Sequence, residues 1–348
     1  MFKVKSEIKP KPVVITPEKQ FEIDMEKLRL SFKNKATDKQ YNIALKEIAR
    51  LRTIQDEILE CKDSVSTYTI KPSHVTKSEA TAFAIASDWH VDEQVKLEQV
   101  DGTNEYNMRI AKKRAEKFFQ STLRLVKIQQ QDVAVKTLVL ALLGDFISGH
   151  IHPELMETTE VSPQDAMLFA MNLIASGIEF LLENSKLQIV VPCCVGNHAR
   201  DTHKINIATE HGNNKEWAMY HFLAMYFKKE KRVTFVMPRS QFTYIQVYDK
   251  TIRFMHGHMG YKFQGGIGGI SVPLNKAVMR WNESKKADHT IIGHWHQRQD
   301  NNNWLINGSL IGDAPYGKAL GFSGKPEQLF FLIDKKYGKT VVAPIFVV

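Results

Sequence analysis

The apolar positions follow two rhythms that divide the chain. Between about residues 23 and 61, Tyr41, Leu45, Ile48, Leu51, Ile54 and Ile58 recur every three or four positions, with Lys, Glu and Arg between them. That spacing predicts an amphipathic helix of several turns. From Ala80 onward, short apolar runs alternate with longer helical stretches, the texture of buried strands covered by helices. Strands are predicted at 82–87, 136–143, 187–194, 233–237, 242–247, 252–256, 290–292 and 304–306, with late ones near 329–333 and 340–345. Helices are predicted at 110–127, 163–183, 216–229 and 273–284. Residues 1–20 form a Lys/Pro-rich polar arm and 62–78 read as a linker. The expected organisation is therefore an arm and helix over 1–78, followed by an α/β domain over 79–348. No internal repeat or low-complexity tract interrupts it.

The polar residues that break the apolar runs carry the chemistry. The run at 82–87 ends in Asp88-Trp89-His90, and TLVLALL ends in Gly144-Asp145. LQIVVPCCV ends in Gly196-Asn197-His198, IRFM in His256-Gly257-His258, and HTII in Gly293-His294-Trp295-His296. Five strands thus deliver carboxylate, amide or imidazole groups at their C-terminal ends, the edge where open α/β sheets bind ligands. Glycines beside them let the backbone turn sharply and approach closely. Such a cluster is very costly to bury without a cation to pair it. Mixed imidazole and oxygen donors suit Mn, Fe, Zn, Co or Ni better than Ca or Mg. A carboxylate shared between two ions would set them roughly 3.5–4 Å apart, the spacing of two-metal hydrolases. No thiolate lies among the donors, which argues against a structural zinc.

Composition narrows the setting. The chain has 348 residues, 43% of them hydrophobic, enough for one large core with an appendage. No run of 18 or more apolar residues is present, so no membrane span is expected. The first twenty residues lack a signal peptide's apolar centre and cleavage site. Cys61, Cys193 and Cys194 are odd in number and read as buried thiols of a cytoplasmic protein. The net charge of +9 suits a polyanionic partner such as nucleic acid. For the N-terminal helix three tasks are open: binding DNA, pairing with a second copy as a homo-oligomer, or packing on the main domain.

The motifs D-x-H, G-D, G-N-H, a later His and G-H-x-H, in this order over roughly residues 80–310, resemble the calcineurin-like metallophosphoesterase superfamily. The resemblance implies two mixed β-sheets packed as a sandwich with helices on the outer faces, a four-layer α/β fold with the N-terminal helix appended. It also implies that Asp88, His90 and His296 hold one divalent metal ion, that Asn197, His256 and His294 hold the other, and that Asp145 bridges them. His198 matches the histidine that faces the leaving group, and Asn307-Gly308-Ser309 resembles the element following G-H-x-H. Two branches fit poorly. The chain lacks the G-D-x-V-D-R-G element of the Ser/Thr protein phosphatases and the Tyr ligand of purple acid phosphatases. G-N-H-x-R, Q-G-G-x-G-G and G-H-W-H are most similar to phage-encoded members described as DNA-repair exonucleases.

The resemblance implies a metal-dependent phosphodiesterase, with Mn the favoured ion and a nuclease on DNA or RNA the first reading. A phosphoesterase of small phosphoesters or cyclic nucleotides is the second, and a non-catalytic accessory subunit the third. Arg200 is a candidate phosphate clamp, and His258 a candidate in or just behind the ligand layer. Ala199-Arg200 stand where an acidic residue often orients His198, and Asp201 is a candidate substitute. The glycine-rich stretch 264–269 could approach a phosphate chain or form a lid. The stretches 147–163 and 200–215 are expected to line the substrate cleft.

Overall fold

The apolar runs at 82–87 and 136–143 are neighbouring parallel strands in the computed structural model, which describes residues 17–60, 67–70, 78–259, 269–321 and 323–348. The elements are α1 (Pro17–Glu60), β1 (Thr67–Ile70), β2 (Glu79–Ala86), α2 (Met108–Gln129), β3 (Ala134–Leu142), α3 (Pro153–Thr158), α4 (Pro163–Asn184), β4 (Gln188–Pro192) and α5 (Lys215–Tyr226). They continue with β5 (Val233–Val236), β6 (Thr243–Val247), β7 (Lys250–Met255), α6 (Ser271–Ser284), β8 (His289–Ile292), β9 (Gln299–Asp300), β10 (Trp304–Ile306), α7 (Pro315–Ala319), β11 (Glu327–Asp334) and β12 (Gly338–Phe346). All ten expected strands form, each shifted by a few residues at most.

The strands build two mixed six-stranded sheets, ordered β12-β11-β2-β3-β4-β5 and β1-β6-β7-β8-β10-β9. In the first, β2 through β5 run parallel and β11 and β12 antiparallel. The two-residue alternation of strand side chains decides what each face buries. On β2, Phe83 and Ile85 join Val139, Ala141, Ile252, Phe254, Ile291 and Leu305 in a core between the sheets. Phe83 stacks on Phe331 with ring centroids 4.4 Å apart. Ala82, Ala84 and Ala86 face the other way and pack with Phe118 and Phe119 of α2, Ile174 and Ile178 of α4, and Tyr220 and Leu223 of α5. Across the second sheet, Leu274 and Val278 of α6 cover Met255, Ile292, Trp304 and Ile306. The layers are helix, sheet, sheet, helix.

Helix α4 is long and apolar enough to cross a membrane by length and composition. Its Ala166, Ala170, Ile174, Ile178 and Leu181 instead sit in the main core, and a Cβ on Gly177 would lie 2.1 Å from the Phe119 ring. It is a core helix, capped by Ser162, whose side chain accepts from the Asp165 N–H, with Pro163 at its first position.

One expected boundary moves. The stretch 62–78, expected as a linker, contains β1, which adds to the edge of the second sheet in the register Thr67↔Tyr244 to Ile70↔Val247. A four-residue β-branched and aromatic run is enough for an edge strand, yet too short to stand out beside Lys, Ser and Pro. The chain accordingly divides into compact units after Glu60, with Cys61–Val348 as the larger one, instead of after residue 78. The smaller unit, Met1–Glu60, is described from Pro17 onward as α1, 44 residues long. Its Tyr41, Leu45, Ile48 and Leu51 are exposed, and the side chains of Ile54 and Ile58 lie outside the described residues, as do residues 1–16 and Cys61.

Candidate metal centre

All seven expected ligands lie at strand ends along one edge of the two sheets. Asp88 and His90 follow β2, Asp145 follows β3, Asn197 follows β4, His256 follows β7, and His294 and His296 follow β8. The loops are zipped together: Asp88 N–H donates to Gly144 O at 2.9 Å, Trp89 N–H to Asp145 O at 2.8 Å, and Gly293 N–H to His256 O at 2.8 Å. The approach is close enough to require glycine. A Cβ on Gly144 would lie 2.2 Å from Gly196 N, and one on Gly196 would lie 2.1 Å from Asp145 Oδ1.

The backbone pays for this convergence locally. Seven non-glycine residues among those described have positive φ, and five of them are expected ligands: Asp88 (58°), His90 (47°), Asp145 (55°), His294 (69°) and His296 (56°). A side chain in the left-handed region is disfavoured by about 1–3 kcal/mol and persists where surrounding structure over-determines it. The concentration of that strain on one set of polar residues marks a functional site.

Three groups of donor atoms lie within 4.8 Å of one another: Asp88, His90 and His296; Asp145, His256 and His294; and His90, Asp145 and His198. Asp145 and His90 each belong to two of them, so the groups form one continuous chain of donors. Asn197 adds an amide Oδ1 that is buried without a hydrogen-bond partner, and His90 Nε2 and His256 Nε2 are in the same condition. His256 Nε2 lies 2.9 Å from Asp145 Oδ2 without hydrogen-bond geometry. Orphaned buried atoms of ligand type, aimed at one another, are the donor set a divalent cation completes.

Hydrogen bonds behind the donors fix their tautomers. His256 Nδ1 donates to Leu143 O at 2.6 Å, and a carbonyl can only accept, so Nε2 is the nitrogen turned to the cradle. Ser148 Oγ donates to Glu93 Oε2 at 2.7 Å and accepts from His90 Nδ1 at 3.0 Å, which again leaves Nε2 for the cradle. Asp88 Oδ2 accepts from Ser87 Oγ at 2.5 Å, and Ser87 Oγ in turn accepts from Asn307 Nδ2 at 2.8 Å. Both Asp88 oxygens also accept from His294 N–H, at 2.9 and 3.0 Å.

The charges follow the same plan. Burial, with His198 and His296 nearby, holds His90 well below the usual imidazole range, and burial with His256 does the same to His294. Both are therefore neutral donors near pH 7, the form that ligates. Burial opposes ionisation of Asp145, yet His256 and His198 overcome it and hold that carboxyl well below its ordinary value.

His198 meets Ser148 and not an acid. Its Nδ1 lies 2.9 Å from Ser148 O and its N–H donates to Asp145 Oδ1 at 2.9 Å. Asp201 pairs with Lys215 at the surface, so it does not take the orienting role considered for it. Arg200 also departs from expectation. Its Nε donates to Thr202 O at 3.0 Å, Nη1 to Asn197 O at 2.7 Å and Nη2 to His203 O at 3.4 Å. The fork braces its own loop, Asn197 included, in place of reaching outward for phosphate. His258 lies outside the donor groups; its Nε2 meets buried Glu210 Oε1 at 2.7 Å, tying the 200–215 stretch to the end of β7. The glycine-rich stretch lies outside the described residues except Gly269.

Four supporting residues carry no motif and were not foreseen: Glu93, Ser148, Glu210 and Glu216. The faint signals are an acidic pair one residue beyond D-x-H and an Asn-Lys-Glu sequence opening a helix.

No family model and no curated protein matches the sequence. Solved structures similar in fold include zinc-complexed Vps29 from Entamoeba histolytica (11% identity, TM-score 0.29, covering 76% of this chain and 99% of that one). Others are a predicted phosphoesterase from Streptococcus pneumoniae (12%, 0.31, 76% and 90%) and a dimetal phosphatase from Danio rerio (13%, 0.34, 77% and 99%). None is near enough to carry an activity across; the donor geometry has to do so.

Proposed function

We propose that this chain is a calcineurin-like, two-metal phosphodiesterase of the cytoplasm, with manganese as the working ion and DNA or RNA as substrate. The observation that supports the chemistry is the convergence of seven ligand-type residues from five strand ends, five of them in left-handed backbone. Asp88, His90 and His296 would hold one cation, Asn197, His256 and His294 the other, with Asp145 common to both. Bound there, divalent cations supply Lewis acidity toward a phosphoryl oxygen and a nucleophilic water near neutral pH.

The chain's own part is orientation and proton transfer. Asp145 fixes the backbone of His198, and Ser148 O accepts the hydrogen bond from Nδ1–H. Nε2 is therefore the nitrogen that faces the site. When the ring is doubly protonated it can hand that second proton to a leaving alkoxide and return to the neutral Nδ1–H form, a task worth about 10²–10⁴-fold in rate. The +9 net charge favours an extended polyanion over a small phosphoester. For the N-terminal helix, the exposed Tyr41, Leu45, Ile48 and Leu51 favour a homo-oligomeric contact.

The decisive experiment is a substrate panel with added Mn²⁺: single- and double-stranded DNA, RNA, cyclic nucleotides, a chromogenic diester and a phosphomonoester. Cleavage of the nucleic acids and the diester is expected. If only small molecules are cut, the nuclease assignment fails; no hydrolysis and no bound transition metal would leave a non-catalytic scaffold.

A further inference from the structure

Helix α5 starts immediately behind the donor cradle, and its first turn carries a buried carboxyl group. Glu216, in that turn, is fully buried. Its Oε1 accepts from Phe146 N–H at 2.7 Å and its Oε2 accepts from Gly196 N–H at 2.7 Å. Phe146 directly follows Asp145, and Gly196 directly precedes Asn197. Asn214, the helix cap, donates from Nδ2 to Gly196 O at 2.7 Å and accepts from Glu216 N–H at 3.0 Å. Both backbone polar groups of Gly196 are thus held from one helical turn, on a residue with no space for a Cβ against Asp145.

Two features separate this arrangement from ordinary core packing. Only a carboxylate can accept on both oxygens at once; an amide would turn an NH₂ group toward one of the two N–H donors. A buried negative charge beside Asp145 is also unfavourable unless positive charge faces it. The donor cradle is where that charge would come from.

We infer that Glu216 is a positioning residue, a two-pronged clamp that sets the loop of Asp145 against the loop of Asn197 so that their donors meet one cation. The inference rests on the two-cation reading above. Glu216 touches no substrate and lies behind the ligands, so it acts through Asp145 and Asn197.

The test titrates Mn²⁺ calorimetrically into the metal-stripped full chain, as the parent, E216Q and E216A, with thermal melts of the same stripped samples. The parent should take up two ions. E216Q should keep one ion at parental affinity, bind the other about 10–100-fold more weakly, and melt close to the parent when stripped. With a chromogenic diester, kcat should fall by a similar factor while KM stays close to the parental value. E216A should weaken the same ion further; if it does not fold, E216Q alone decides. Parental affinities in E216Q would overturn the clamp. So would a loss confined to melting temperature, with the folded fraction binding both ions normally, since that describes a structural residue. A parent chain that takes up no Mn²⁺ would instead remove the two-cation reading itself.

Discussion

The two halves of the donor cradle are supported by different kinds of group. Around Asp88 and His90 the supports are side chains: Ser148 and Glu93 behind His90, Ser87 and Asn307 behind Asp88. Around His256 the support is the Leu143 carbonyl, part of the chain between β3 and Asp145. Exposure varies within each half: Asp88, His90 and His256 are buried, while His296, Asn197 and His294 are partly exposed. The first half is therefore braced by side chains alone, while in the second a backbone carbonyl works beside the Glu216 clamp on the Asn197 loop. Asp145 joins them, and its loss should erase the difference.

That gives the largest expected effect. Asp145→Ala should abolish uptake of both cations and reduce diester hydrolysis to background, measured by metal analysis of the purified protein alongside turnover. Retention of a full complement of either ion would contradict a shared ligand. Next comes His198→Ala, which should lower turnover by about 10²–10⁴-fold while both ions remain bound. Unchanged turnover would remove His198 from proton transfer, and loss of an ion would make it a ligand, as its place beside His90 and Asp145 also allows.

The candidate ligands could be read from the sequence because each sits within a few residues of the end of an apolar run, and a strand end projects whatever follows it onto the binding edge. The sheets were legible for the same reason, since runs buried on both faces are continuous in sequence. The supports were not. Glu216 is 71 positions from Asp145, and Ser148 reaches Glu93 across 55, distances over which no local pattern survives. Arg200 misled because a guanidinium in a loop beside a metal motif looks the same whether it faces phosphate or its own carbonyls. β1 was hidden by its four-residue length.

The contrast between the halves can be sharpened with Ser148→Ala. The hydroxyl between His90 and Glu93 is removed while the carbonyl that orients His198 stays. Second-layer losses of this kind weaken metal affinity by about 10–100-fold. The ion held by Asp88, His90 and His296 should weaken to that extent, and the ion held by Asn197, His256 and His294 should not. Calorimetric titration distinguishes them; equal weakening of both would dissolve the proposed division of supports.

The smallest effect lies in the pH dependence of the metal-free chain. Burial would lower the His256 imidazole, but Asp145 outweighs it and raises it to about 10. The unfolded chain would ionise this group near its ordinary 6.5. A histidine raised on folding contributes stability that is complete below the unfolded value and is lost as pH rises through the folded one. Glu216 behaves differently in its window: burial and Asp145 push its carboxyl from 4.5 up to about 8, so folding loses stability between those values. Between pH 8 and 10 the histidine is therefore the better isolated of the two. The stripped parent should melt progressively lower across that range, and H256A should show a shallower slope. His296 is raised by Asp88 in the same sense, but its partly exposed side chain is screened by water, so H296A should flatten the slope less. Bound cations need both rings neutral and should abolish the His256 contribution by displacing its proton. Identical slopes in the parent and H256A would mean that His256 carries no such proton, and that the two halves differ in their supports alone.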